Sequence, residues 1–142
     1  MNFVYKFNTE RWPLVIIPSP GDTPVEKIDQ ESFYREADRL LVGQRPAVVL
    51  HDLSQVGSMD AARRRKFVTY AEANRERVTS MVKGYAVLID SPVIRGIVTA
   101  VLWFLNPPCP MKIFTSRAKA IEWLKERYPE AFSSPPDTTA RA

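Results

Sequence analysis

An α/β fold, with about five strands in a mostly parallel sheet, an N-terminal β-hairpin and four helices, is predicted by three observations on this 142-residue chain. Ala47 to Leu50 and Tyr85 to Ile89 are short apolar runs without alternation, as expected of strands covered on both faces. Segments with helical spacing separate them, so strand and helix alternate after residue 29, the pattern of helices laid on a sheet through right-handed crossovers. Near the start, Phe3, Tyr5 and Phe7 alternate with Val4 and Lys6 before a second apolar run, Leu14 to Ile17. The turn-like Asn8-Thr9-Glu10 between them predicts a hairpin.

The elements follow in order. Pro18 and Pro20 end the second strand, and a loop rich in Pro, Gly and Asp leads to Asp29, an N-cap type residue. Phe33, Ala37, Leu40 and Leu41 then recur at helical spacing until Gly43. After the strand at Ala47, a second helix is expected from Met59, with Phe67, Tyr70, Ala71, Asn74 and Val78 on one face. Ser91-Pro92 pairs an N-cap with proline at the first helical position, which spares a backbone donor that lacks a partner anyway. That third helix runs to about Leu105, where Asn106-Pro107-Pro108 breaks it. Met111 to Phe114 is the last strand, and Ser116 opens a closing helix carrying Ala120, Ile121, Leu124 and Tyr128. Residues 1–132 are expected to form a single domain. Residues 133–142, polar and proline-containing, bury too little apolar surface to offset ordering and are expected to be a disordered tail.

Composition narrows the function classes. With 45% apolar and 25% charged residues, the chain is that of an ordinary soluble domain. The net charge of +4 favours anionic partners, but the basic residues are scattered among 16 acids and no nucleic-acid recognition motif is present, so no nucleic-acid partner is expected. A lone cysteine, Cys109, cannot form an internal disulfide, and a reducing compartment, hence the cytoplasm, is expected. Lys6, Glu10 and Arg11 interrupt any apolar core of a secretory signal. The longest apolar stretch, Ile97 to Leu105, is far short of the roughly 20 residues that span a bilayer, so no transmembrane segment is expected.

The loop His51-Asp52-Leu53-Ser54 lies at the carboxyl end of a strand, the edge where open α/β sheets place ligands and catalytic groups. One reading makes Ser54 or Ser58 a nucleophile with His51 as base and Asp52 or Asp60 orienting it. In the other, Asp52 and Ser54 bond turn amides and Ser58 caps the following helix. GxSxG is absent and His51 is the only histidine, so no catalytic residues are assigned and no enzyme is expected. No metal and no cofactor are expected either. Ligand spacing for a metal is missing, as are the glycine-rich phosphate loops.

Two features point to binding. Arg63-Arg64-Arg65-Lys66 stands near a helix N-terminus, where each basic residue costs a few tenths of a kcal/mol (about 0.3) against the macrodipole. An anionic partner surface, a phosphorylated group or lipid headgroups would retain the run there; so would a solvated face paired with Glu72 and Glu76. Asp52, Ser54, Ser58, Asp60, Arg63 and Arg64 are therefore the candidate partner-binding residues. In the third helix, Ile94, Ile97, Val98, Val101, Leu102 and Leu105 form one stripe, while Ala100, Trp103 and Phe104 carry the apolar surface round to the opposite side. Such a helix is fully buried, packed on a partner or second copy of the chain, or beside a lipophilic ligand. Ile94, Val98, Leu102, Trp103 and Phe104 are the candidate contacts for that ligand.

AVVLHDLSQVGSMDAARR, YAVLIDSPVIRGIVTAVLWF and PMKIFTSRAKAIEWLKERY, together with the N-terminal hairpin, make the chain resemble the SpoIIAA-like family, within the STAS and CRAL-TRIO (Sec14)-like group of α/β domains. The resemblance covers nearly everything but the tail. It implies a small, non-enzymatic, usually bacterial cytoplasmic module that signals through protein contacts. In the anti-sigma-factor antagonists of that group, a serine after an Asp at the start of the second helix is phosphorylated. Here the segment is Met59-Asp60-Ala61-Ala62, without the hydroxyl. The Sec14-like side implies instead a cavity for lipophilic molecules beneath the helix Ile94 to Leu105. A regulatory interaction module lacking the phosphoacceptor serine is thus the first functional expectation, and a binder or sensor of a lipophilic small molecule the second.

Overall fold

Five strands hydrogen-bond in the order β2 (Asn8–Arg11), β3 (Leu14–Ile17), β5 (Ala47–Asp52), β6 (Val82–Leu88) and β7 (Met111–Phe114) in the computed structural model, which describes residues 2–133. β2 and β3 are antiparallel and every other pairing is parallel, so the expected mostly parallel sheet with an N-terminal hairpin is present. β5 is central, with Val49 facing Val15 on one side and Tyr85 on the other.

The hairpin uses different residues from those expected. Phe3 to Phe7 alternates as read, with Tyr5 and Phe7 buried and Val4 and Lys6 exposed. Its backbone, however, pairs with the first helix rather than with β3. β1 (Phe3–Val4) lies parallel to β4 (Ile28–Asp29), the Tyr5 amide donates to Ser32 Oγ at 2.7 Å, and the Phe7 amide donates to Glu36 Oε1 at 2.7 Å. Alternation reports which side chains are buried and is silent on which acceptors satisfy the backbone.

α1 (Gln30–Val42) begins where Asp29 accepts from the Ser32 amide. The second expected helix is two: α2 (Ala61–Ala73) and α3 (Arg75–Met81), broken at Asn74. Asn74 Nδ2 donates to the Tyr70 carbonyl, a local side-chain bond that competes with helix continuation. Asp60, not Ser58, caps α2, accepting from the Arg63 amide at 2.8 Å, while Ser58 is exposed. α4 (Pro92–Leu105) has Ser91 as cap and ends at Asn106, in the left-handed conformation at φ 53°. α5 (Arg117–Arg127) is capped by Ser116, and a short α6 (Pro129–Ser133) follows. Beyond Ser133 the expected tail lies outside the described residues.

Strand alternation divides the core between two sheet faces. Leu14, Val48, Leu50, Ala86 and Leu88 face α5, where Ala120 and Leu124 are completely buried. Gly84 is required there: a Cβ on it would stand 2.9 Å from Arg127 Cγ and 3.3 Å from Leu124 Cδ2. Val15, Ile17, Val49, Tyr85 and Val87 face the opposite way, toward α1, α2 and α4.

Candidate functional site

At the carboxyl ends of β5 and β6, the face under α1, α2 and α4 is hollow. One cavity of about 100 Å³ is floored by His51, Tyr85 and Val87, walled by Phe33, Tyr34 and Gln30 of α1, and roofed by Phe67 of α2 with Val98, Val101 and Leu102 of α4. A second, of about 80 Å³, lies deeper under α2, lined by Val49, Ala71, Val78, Leu105 and Cys109 among others. Phe33, Phe67, Tyr85 and Met111 are common to both. An engineered apolar cavity of about 150 Å³ holds benzene, so the two together suit a molecule of roughly that scale or a short chain.

The hollowness follows from the sequence of α2. Only Ala71 of its 13 residues is buried, because charged residues occupy most of its first two turns. Polar links at the rim hold the helix instead: Lys66 pairs with Glu31, and Tyr70 Oη donates to Asp38 at 2.7 Å. α3 is tied to the end of α4 by Arg75, which donates to the carbonyls of Leu105 and Asn106.

Polar groups stand at one end of the first cavity. His51 Nδ1 lies 2.7 Å from Tyr85 Oη, and its ring stacks on Phe33 with centroids 5.6 Å apart. Removal from solvent pulls the His51 pKa down to about 4, against a weaker opposing pull from Asp52, so the ring is neutral near pH 7. Burial likewise raises the phenols of Tyr5 and Tyr34, the latter to about 12, with the Arg63 charge partly opposing both. Tyr85 is raised well above its ordinary value, chiefly by burial. All three remain protonated donors. Arg63 and Gln30 complete the polar end.

The residues of the nucleophilic reading that was set aside are not brought together. His51 and Asp52 are successive residues of one strand, so their side chains leave on opposite faces. Asp52 turns toward α5, where Arg117 lies 3.5 Å away, and also accepts from the amide and hydroxyl of Ser54, at 2.9 and 2.5 Å. His51 turns into the cavity. Among the candidate partner-binding residues, Asp52, Ser54 and Asp60 are engaged in these turn and cap bonds, and Arg64 donates to the Met59 carbonyl at 2.6 Å. Arg63 and Arg64 border the cavity. The pairing expected for the basic run with Glu72 and Glu76 is not formed: Glu72 pairs with Arg75, and Lys66 reaches Glu31 on α1.

Of the five candidate lipophilic contacts, Val98 and Leu102 line the cavity, and Ile94 is fully buried in the core beneath α4. Trp103 and Phe104 do not reach it. They point outward, 82% and 88% exposed, because positions 98, 101, 102 and 105 already occupy the inward stripe and 103 and 104 fall on the other side of the helix. Tyr5, Gln30, Tyr34, Phe67 and Tyr85 are site residues that the sequence reading missed. Period-two alignment of His51 and Tyr85 with Val49 and Val87, and helical spacing of Gln30, Phe33 and Tyr34, are the signals that place them on one face.

No group of three or more His, Cys, Asp or Glu side chains placed to hold a metal ion occurs among the described residues, and no helix among them is long and apolar enough to cross a membrane.

A family model described as a domain of unknown function, DUF7793, matches residues 35–127, and the chain belongs to that family. Among solved structures, an uncharacterized protein of the DUF3478 family with a SpoIIAA-like fold, from Shewanella loihica PV-4, superposes with a TM-score of 0.57 at 14% identity, covering 87% of this chain and 94% of that one. The chain therefore has a SpoIIAA-like fold. No curated protein matches it.

Proposed function

We propose that this DUF7793 member is a non-enzymatic binding module whose single domain, residues 1–132, takes up a small lipophilic molecule between α2, α4 and the sheet. The observation that carries this reading is the pair of adjoining apolar cavities, about 100 and 80 Å³, between the sheet and the helices over it, the first reaching His51 near the carboxyl end of β5, the end where α/β folds place ligands. It corresponds to the Sec14-like side of the resemblance, with Val98 and Leu102 as contacts and α2 as the cover. Burial of a methylene contributes about 0.8 kcal/mol, so a six-carbon chain gains about 5 kcal/mol and binds in the high micromolar to millimolar range before any polar contact.

Native mass spectrometry of the protein purified from its own host tests the reading. An organic adduct, carried from the host or formed with apolar compounds added at millimolar concentration, is expected, and Leu102→Trp, which places a larger ring in the cavity, removes the adduct while far-ultraviolet circular dichroism stays unchanged. Wild-type protein without an adduct, and without uptake of added apolar compounds, contradicts it.

A second reading, a regulatory protein contact in the cytoplasm, is favoured by the exposed Trp103 and Phe104, the latter at the edge of a groove between α2 and α4 lined also by Arg64, Arg65, Val68, Ile97 and Ala100. Exposed aromatics of this size are the usual anchors of protein interfaces. The Asp52 to Asp60 loop would then shape the surface, with Ser58 and Arg64 at its edge. Co-purification of a partner from the host that is lost with Trp103→Ala would support this reading, and retention of the partner would end it.

A further inference from the structure

Each of four side chains at the polar end of the first cavity, Arg63, Gln30, Tyr5 and Tyr34, can donate a hydrogen bond, and none of them is a carboxylate. Arg63 enters from the first turn of α2, half-buried and, among the described residues, without a carboxylate partner. The acids nearest to it in the fold are committed elsewhere. Asp60 accepts from the Arg63 backbone amide and Glu31 is paired with Lys66. The contrast with Arg64 is direct, since that guanidinium donates to the Met59 carbonyl. On the facing wall, Gln30 Nε2 is buried with no hydrogen-bond partner, the one such side-chain atom among the described residues. Native structures leave few buried donors unpaired, and a bound acceptor would satisfy this one. The hydroxyls of Tyr5 and Tyr34 complete the set.

We infer that the molecule held in this cavity is a small amphipathic carboxylic acid, its carboxylate received by Arg63, Gln30 Nε2 and the hydroxyls of Tyr5 and Tyr34, and its hydrocarbon part laid against Phe67, Val98 and Leu102. This deepens the ligand-binding reading and rests on it. Charge balance selects the class. Among the described residues, Arg63 is the one arginine at the cavity without a protein acceptor, since Arg64 donates to the Met59 carbonyl, and a single free guanidinium fork matches one carboxylate bidentately. His51 adds no positive charge, being neutral at physiological pH. Size narrows it further: about 100 Å³ with a neighbouring 80 Å³ excludes a two-chain phospholipid and admits a short acyl chain or a single aromatic ring.

Calorimetric titration of the full chain with the straight-chain carboxylates from butyrate to decanoate, and with the alcohols of matching length, tests the inference. The best carboxylate is expected to bind at least about tenfold more tightly than its alcohol, the scale of a charge-assisted hydrogen bond. Arg63→Met abolishes that preference while leaving alcohol binding in place, which also shows that the variant is folded; Arg63→Lys, which keeps the charge, retains part of it. Gln30→Leu lowers carboxylate affinity more than alcohol affinity, since the bond to the charged group is the stronger one. Equal binding of acid and alcohol, or an acid preference that survives Arg63→Met, overturns the inference and leaves the apolar cavity standing. Wild-type protein that binds neither series overturns both.

Discussion

The two faces of the sheet are covered by helices of opposite quality. α5, with Phe132 of α6 beside it, covers one, and it is seated so closely that Ala120 and Leu124 are fully buried and Gly84 has no room for a methyl group. α1, α2, α3 and α4 cover the other, yet α2 buries a single alanine and leaves two cavities beneath it. Close packing is the ordinary condition of a protein interior, so the hollow face marks a region under a different demand. The solid face holds the fold together; on the proposed reading the hollow one keeps volume for a ligand.

That contrast is broken or sharpened most strongly by truncation. Leu124→Ala should cost about 2–5 kcal/mol in denaturant unfolding, because the tight α5 face cannot collapse into the space left behind. Leu102→Ala, whose side chain already borders a cavity, should cost less than about 1.5 kcal/mol. Equal losses would mean that the two faces are packed alike.

The next effect is set by pH. His51 takes up a proton near pH 4 when folded, against an ordinary 6.5. Between those values the unfolded chain binds the additional proton, so stability falls as the pH is lowered from 6.5 toward 4, by up to about 3 kcal/mol, and this contribution changes no further below pH 4. His51→Gln should flatten that part of a stability profile measured by chemical denaturation. An unchanged slope in the variant would assign the acid loss to other groups.

Small-to-large changes give a finer comparison. Gly84→Ala should destabilise by about 1–3 kcal/mol, since the new methyl meets Arg127 and Leu124. Val98→Leu adds one methylene beside the cavity and should be neutral or stabilising by up to about 1 kcal/mol. The smallest effect is kinetic. Burial lifts the Cys109 thiol to about 12, so its reaction with iodoacetamide at pH 8 should be slow in the native protein and fast in denaturant.

Much of the scaffold is legible in the chain, and for local reasons. Val48 and Leu50 against Val49 already describe two faces, and the caps Asp29, Ser91 and Ser116 announce three helix starts that the structure has at those residues. The misreadings arise where a non-local partner decides. Phe3 to Phe7 alternates like a sheet strand but finds its acceptors on Ser32 and Glu36. Trp103 and Phe104 are as apolar as Val98 and Leu102, and only the angular order around α4 turns them outward. The site was hardest to see, because a cavity is a deficit of volume summed over Phe33, Phe67, Tyr85 and their neighbours from several helices and strands, and no single residue encodes it.

A crystal structure determined under xenon pressure tests the hollow face most directly, since xenon enters dry apolar cavities of this kind. Xenon is expected between Phe33, Phe67, Tyr85 and Val98, with none between the sheet and α5. A structure in which those side chains have closed up and no xenon lies beneath α2 would contradict the account.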